Sequence, residues 1–245
     1  MNKKFKVAIL IPCFNEGLNI MNLYNETTAV CLPSSFELFP IFINDCSSDN
    51  TLEILIKNKI SYLNLINNLG IGGAVQAGYK YALHNGFEIA VQMDGDGQHP
   101  PSELIKILMP FLNDEADVVI GSRYITKEGF QSSFLRRTGI NYFKSLNYFL
   151  TGIKINDSTS GYRAINLKGL KIVTEYYPDE YPEPETILLF AANNLKIKEV
   201  SVIMRERQGG GSSIKSYKTI YYVIKVSLNL LSLYFKIKLK KPLNG

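Results

Sequence analysis

Five short apolar runs, alternating with segments of helical period, constrain this chain more than any other feature. The runs are Phe5 to Pro12, Phe36 to Ile43, Ser61 to Ile66, Gly86 to Val91 and Asp117 to Ile120. Most are rich in β-branched and aromatic residues and end in Gly, Asn, Asp or Pro, the pattern of buried strands. Between them, helical segments run from about Leu18 to Val30, Thr51 to Asn58, Gly73 to His84 and Ser102 to Leu112. Strands and helices in strict alternation bury both strand faces only as a mostly parallel sheet flanked by helices, so an α/β, Rossmann-like fold is expected. The loops that leave the strands are polar or glycine-rich and crowd one edge, where open α/β sheets bind their ligands.

One of these loops is Gln92-Met93-Asp94-Gly95-Asp96-Gly97-Gln98-His99-Pro100-Pro101. The prolines sit where a helix begins and its first donors are orphaned anyway. Side chains alternate along an extended backbone, so Asp94 and Asp96 are expected to leave on one side and share one cation. Hard carboxylate oxygens suit Mg2+ or Mn2+, ions usually held by one or two carboxylates plus substrate phosphates. Taken alone, Asp-x-Asp is more often a solvated turn.

The length of 245 residues allows one large domain, or one domain with an appendage. Cys13, Cys31 and Cys46 are too few and too scattered for a disulfide framework or a zinc site, which favours a reducing compartment. The basic start leads into an apolar run that ends at Pro12 without a small-residue cleavage site, a first strand and not a signal peptide. The net charge is uneven. Residues 205–245 hold nine Lys/Arg and one acid, a net of +8, whereas residues 1–204 hold 18 and 21, a net of −3. No nucleic-acid recognition motif accompanies the basic surplus, so a membrane surface or phosphates explain it better than nucleic acid.

The second half is less regular. Ser133 to Leu150 reads as a helix, residues 156–163 as a loop entering a short strand, and residues 177–185 as an acidic, proline-broken turn before a helix. Lys196 to Met204 reads as a strand, and Arg205 to Ser216 as a mobile glycine- and serine-rich loop. From about Ser216 to Lys238 the tail is strongly apolar. Lys218, Lys225, Asn229, Ser232 and Lys236 form one polar stripe of a helix, and Ile220, Ile224, Leu228, Leu231 and Phe235 lie away from it. Lys225 interrupts the apolar length that a spanning helix needs, so an amphipathic helix lying in a membrane surface fits better. The alternative is a helix packed on the protein's own core. The expected division is a catalytic domain over residues 1–213 and a basic, apolar helix over residues 214–245.

Six stretches in order resemble the family 2 glycosyltransferases, which have the GT-A fold, and within them the branch of dolichyl-phosphate mannose and polyprenyl-phosphate glucose synthases. They are Ile11-Pro12-Cys13-Phe14-Asn15-Glu16, Asn44-Asp45-Cys46-Ser47-Ser48-Asp49, Asn68-Leu69-Gly70-Ile71-Gly72-Gly73-Ala74, Asp94-Gly95-Asp96-Gly97-Gln98-His99-Pro100-Pro101, Gly121-Ser122-Arg123 and Asp157-Ser158-Thr159-Ser160-Gly161-Tyr162-Arg163. The resemblance runs from about Val7 to Ser213 and implies a donor sugar bound as its UDP, GDP or dTDP ester. It implies that Pro12, Phe14 and Glu16 wall the base and ribose, that Asp45 accepts from base N–H groups, and that Gly70, Gly72 and Gly73 let backbone approach the nucleotide. Asp94 and Asp96 would face ribose and diphosphate, with Asp94, Asp96 and Gln98 the metal candidates. Asn44 departs from the commoner acid at its position. Arg123, and Arg205 or Arg207 beside a glycine-hinged lid, would stabilise the leaving diphosphate.

The acceptor decides whether a base is needed. A lipid phosphate is already an anion that Arg136, Arg137 and Arg163 could hold, whereas a sugar hydroxyl would need a carboxylate, with Glu183, Glu185 and Asp157 the candidates. Tyr-Pro-Glu-Pro-Glu is not the Glu-Asp pair common among hydroxyl-acceptor members, and a chain without Trp lacks the Gln-x-x-Arg-Trp of processive synthases. His99 reads as a shaper of its loop. The expectation is an inverting transfer of one sugar to a polyprenyl phosphate, by a cytoplasmic protein peripheral at the inner face of the membrane. The alternatives are transfer to a sugar hydroxyl of a surface glycan, or nucleotide-sugar binding without turnover. Pairing of two chains through the apolar tail is a further reading of that segment.

Overall fold

The computed structural model describes residues 4–130, 134–206 and 216–240. Among them are seven strands: β1 Phe5–Cys13, β2 Phe36–Asn44, β3 Tyr62–Asn64, β4 Ile89–Gln92, β5 Val118–Ser122, β6 Arg163–Asn166 and β7 Ile197–Ser201. They form one sheet in the order β3-β2-β1-β4-β6-β5-β7. β1 runs parallel to β2 and β4, β2 to β3, and β5 to β7, while β6 is antiparallel to both β4 and β5. The reversed strand has a consequence for the site. Arg163, the first residue of β6, stands opposite Gln92 at the end of β4 and Ile120 near the end of β5. The loop before β6 therefore meets the loops after β1, β2, β4 and β5 at one edge.

Alternation along β1 sorts the core into two layers. Val7, Ile9 and Ile11 point to the layer covered by α1 Ile20–Thr28, α2 Thr51–Lys57 and α4 Leu104–Leu112. Ala8 and Leu10 point to the layer under α3 Gly70–His84, α6 Leu167–Glu175 and α7 Pro182–Ala192. The mostly parallel, doubly covered sheet read from the sequence is the one observed. β3 is shorter than expected, and α6 is an element that the pattern did not announce. Its cap is Asn166, whose Oδ1 accepts the N–H groups of Lys168 and Gly169, and Leu170 and Val173 face the core.

α5 Phe134–Thr151 and α8 Ser216–Lys240 lie outside this sandwich. Phe143 and Leu150 of α5, Leu188 of α7, and Val226 and Leu230 of α8 form a third apolar cluster, joined by Tyr222 and Leu233. α8 carries a second apolar row as well. Ile224, Leu228, Leu231, Phe235 and Leu239, spaced by four, three, four and four, are all exposed, with Leu228 at 61% and Phe235 at 59%. The helix thus packs on the protein's own core with one face and presents another. Of the apolar residues read off the sequence, Ile224, Leu228, Leu231 and Phe235 lie on the exposed face, and the side chain of Ile220 lies outside the described residues. No helix among the described residues is long and apolar enough to cross a membrane.

Candidate active site

The loops after β1 and β2 hold each other. Asn15 is left-handed, with φ +58, and its Oδ1 accepts the N–H groups of Ser48 and Asp49 at 2.8 and 3.3 Å. Its own N–H donates to Ser47 Oγ. Burial alone would raise Asp49, but hydrogen bonds from the Thr51 hydroxyl and N–H and from Gly17 N–H hold it below the ordinary carboxylate range. In this framework Pro12 is buried, Phe14 is half exposed, and Glu16 accepts from Asn19 Nδ2 at 2.6 Å. Asp45 is buried, and its Oδ1 accepts the Leu69 N–H at 2.7 Å. The departure at Asn44 has a physical reason. Its amide donates to Asn64 Oδ1 at 2.6 Å and accepts from Ser47 N–H, two jobs that a carboxylate could not combine.

Past Met93 the backbone turns, so strand alternation does not place Asp94 and Asp96 as expected. Asp96 is buried, and its Oδ1 accepts the Gln98 N–H at 3.0 Å around the left-handed Gly97, φ +77. The Asp94 side chain is 31% exposed. The loop lies hard against β1: a Cβ on Gly95 would stand 2.7 Å from the Pro12 carbonyl oxygen. Only glycine fits there, and the contact brings the pair of aspartates to the wall formed by Pro12 and Phe14.

The loop before β6 brings two expected residues to each other. Arg123 and Asp157 are both buried and paired twice, Nε to Oδ2 at 2.7 Å and Nη2 to Oδ1 at 2.8 Å. Burial works against the Arg123 charge, but the Asp157 carboxylate outweighs it and raises the guanidinium further. Asp157 N–H donates in turn to Glu199 Oε1 on β7 at 2.7 Å. Glu199 also receives both N–H groups of Asn156, the backbone one and Nδ2. Sequence reading passed over this acid, whose one signal is a carboxylate inside a strand. Arg123, expected at the leaving diphosphate, and Asp157, a candidate base, thus engage each other in the structure. Arg163, expected at the acceptor phosphate, is buried as well. It is 3% exposed, and its guanidinium donates to the carbonyls of Ser160, Glu183 and Ser158 and to Thr186 Oγ1. It staples the loop to α7.

Gly72 and the acidic turn also meet. The Gly72 N–H donates to the Asp179 carbonyl, and a Cβ on Gly72 would lie 2.1 Å from that oxygen. In the structure this glycine admits the close approach of the turn. Glu183 is half-buried at the start of α7, and its carbonyl holds Arg163. Glu185 is 1% exposed, accepts from Asn229 Nδ2 of α8 at 3.1 Å, and is pushed up by burial. This candidate base is therefore engaged with α8. A cavity of about 390 Å3 behind this turn is lined by Gln76, Glu175, Tyr177, Glu185, Lys225 and Asn229. Its acids would repel a diphosphate.

Arg205 donates through its backbone to the Gln98 carbonyl, but its guanidinium pairs with Glu26 of α1 at 2.7 Å. Arg137 is exposed on α5. Arg207 and the 209–213 loop lie outside the described residues, as does the side chain of Arg136. Among the described residues no group of three or more His, Cys, Asp or Glu could hold a metal by itself. Two carboxylates at the loop edge are the smaller donor set that suits Mg2+ or Mn2+ when substrate phosphates complete the shell, so Asp94 and Asp96 fit the ion.

The model of Glycosyl transferase family 2 matches residues 8–173. A UDP-N-acetylglucosamine–dolichyl-phosphate N-acetylglucosaminyltransferase from Methanococcus voltae is 30% identical, over 80% of this chain and 84% of the relative. A polyprenol monophosphomannose synthase from Mycolicibacterium smegmatis is 26% identical, over 91% and 86%. Among solved structures, glucosyl-3-phosphoglycerate synthase from Mycobacterium tuberculosis with Mn2+, UDP and glucosyl-3-phosphoglycerate superposes with a TM-score of 0.66 at 14% identity, covering 95% of this chain and 80% of that one. TarS 1-349 from S. aureus with UDP-GlcNAc gives 0.62 at 20% identity, over 93% of this chain and 66% of that one. These structures share the GT-A architecture described above.

Proposed function

Since the chain belongs to glycosyl transferase family 2, we propose that it is an inverting transferase moving one sugar from a nucleoside-diphosphate donor to a polyprenyl phosphate. The observation that carries this reading is the state of the acids. Of the three candidate bases, Asp157 is paired with Arg123 and Glu185 is buried against α8, so only the half-buried Glu183 at the start of α7 is left to take a proton from a hydroxyl. A lipid phosphate arrives as an anion and needs no base. Relatives named for dolichyl and polyprenol phosphates support the same acceptor class.

In this reading a phosphate oxygen attacks C1 of the sugar on the face opposite the diphosphate. The C1–O bond to the donor breaks, the nucleoside diphosphate leaves with the electron pair, and C1 inverts. Pro12, Phe14 and Glu16 wall the base and ribose, and Asp45 accepts from the base. A divalent cation on Asp94 and Asp96, beside Gln98, would neutralise the charge that builds on the leaving group. Arg137 is the exposed described residue among the three arginines expected at the acceptor phosphate. The outer row of α8, flanked by Lys236 and Lys238, rests on the inner face of the membrane that holds the lipid.

The test is transfer by the purified full chain from labelled UDP-, GDP- and dTDP-sugars, with Mn2+, to polyprenyl phosphate in detergent. Label that enters the organic phase as a glycosyl phosphate is expected. Label appearing only on a saccharide hydroxyl overturns the acceptor, and donor binding with neither transfer nor hydrolysis overturns the enzyme.

A further inference from the structure

We propose that His99 is a positioning residue for the Asp94–Asp96 pair, acting through a hydrogen bond to the Asp94 main chain. This rests on the reading of those aspartates as cation ligands. The Asp94 N–H donates to His99 Nδ1 at 3.0 Å. A backbone N–H can only donate, so Nδ1 carries no proton, and the 3.7 Å between it and Asp94 Oδ2 is not an ion pair. The bond closes residues 94–99 into a ring, inside which Gln98 N–H is bound to Asp96 Oδ1. Both carboxylates ride on that ring.

Packing fixes the imidazole. His99 is 4% exposed and lies on the Tyr162 ring at 4.8 Å between centroids and 13° between planes. Tyr162 is wholly buried, and its hydroxyl donates to the Pro100 carbonyl at 3.1 Å. The loop before β6 thereby grips the residues that follow the aspartates. The imidazole thus has two separable contributions, a stack that holds the loops together and an acceptor that sets the geometry of the pair. Groups that orient metal ligands from behind typically change metal affinity by about 10–100-fold when lost.

Two substitutions separate the contributions. His99→Asn puts an amide oxygen where Nδ1 was and removes the stack; His99→Phe keeps a ring on Tyr162 and removes the acceptor. The readouts are Mn2+ uptake by electron paramagnetic resonance with saturating UDP or GDP, nucleotide affinity without metal, and thermal melting. His99→Asn is expected to melt earlier while keeping Mn2+ affinity near wild type. His99→Phe is expected to bind Mn2+ about tenfold more weakly or worse, with metal-free nucleotide affinity unchanged. Wild-type Mn2+ affinity in His99→Phe overturns the proposal, as does an equal loss in both variants. If His99→Phe does not fold, His99→Gln, whose oxygen sits one bond too far out, carries the same expectation against His99→Asn. Wild-type protein that takes up no Mn2+ with either nucleotide overturns the cation reading itself, an outcome distinct from equal behaviour of the variants.

Discussion

Arg123 and Asp157 meet in a two-point ion pair, 2.7 Å from Nε to Oδ2 and 2.8 Å from Nη2 to Oδ1, with Asp157 wholly buried. The pair ties the end of β5 to the loop that leads into β6. Removing one partner of a buried pair leaves the other charge uncompensated and costs about 3–5 kcal/mol. Asp157→Ala is expected to lower the unfolding free energy in urea by about that amount. Arg123→Lys, which keeps charge but loses the fork, should lose part of it. Lost turnover in Asp157→Asn at unchanged stability would instead restore the aspartate as a base.

Glu185 makes the opposite test. Burial pushes its carboxyl above the ordinary 4.5, and the Asn229 amide and Lys225, which pull the other way, do not cancel the rise. Below the unfolded value both states hold the proton. As pH rises the unfolded chain ionises first, so wild-type stability falls until the folded carboxyl ionises too. Glu185→Gln removes this loss. Its stability relative to wild type should therefore grow from about pH 4.5 upward and then level off, as read by urea unfolding across pH. Turnover should persist in the variant; a collapse of kcat with donor binding intact would revive the hydroxyl acceptor.

The glycines can be sorted by what surrounds them. A methyl at Gly72 would lie 2.1 Å from the Asp179 carbonyl and 2.3 Å from that of Pro178, both backbone atoms that cannot swing away. Gly139, inside α5, has nothing within 4 Å of the same position. Gly72→Ala is expected to destabilise the fold, whereas Gly139→Ala should stabilise it by about 1 kcal/mol, the helix-propensity difference. Calorimetric melting of the two variants checks both signs. A neutral Gly72→Ala would mean that the turn at Asp179 is not anchored on α3.

What the sequence made legible follows from the range of the interactions involved. β1, β2, β4 and β5 are local apolar runs, and their alternation with helices dictated the sheet. The pairing of Arg123 with Asp157 joins residues 34 apart, and Glu185 meets Asn229 across 44. No local pattern encodes such partners, so residue type announced a charge at the site while the fold decided whom it faced. Gly72 shows the same limit, since no local pattern tells that the turn at Asp179 lies against it. α6, nine residues between a short strand and a proline-rich turn, was missed although its buried Leu170 and Val173 recur at helical spacing. Tail periodicity, by contrast, gave a stripe, but one helix can hold two.

Those two faces of α8 give the last prediction. Leu230 is fully buried in the cluster with Phe143 and Leu188, whereas Leu228 and Phe235 are more than half exposed. α8 contains Lys218, Lys225, Lys236, Lys238 and Lys240 and no acid. An apolar row with cations beside it binds anionic bilayers through buried area and charge together. Leu230→Ala should lower stability by about 2–5 kcal/mol and leave vesicle binding intact. Leu228→Ser with Phe235→Ser should leave the melting temperature unchanged and abolish sedimentation with vesicles containing phosphatidylglycerol. Wild-type binding should also weaken as salt rises, because the charged part is screened. Unaltered sedimentation of the double variant would remove the outer row as the membrane contact. A concentration-dependent dimer lost in the same variant would give that row to a second copy of the chain.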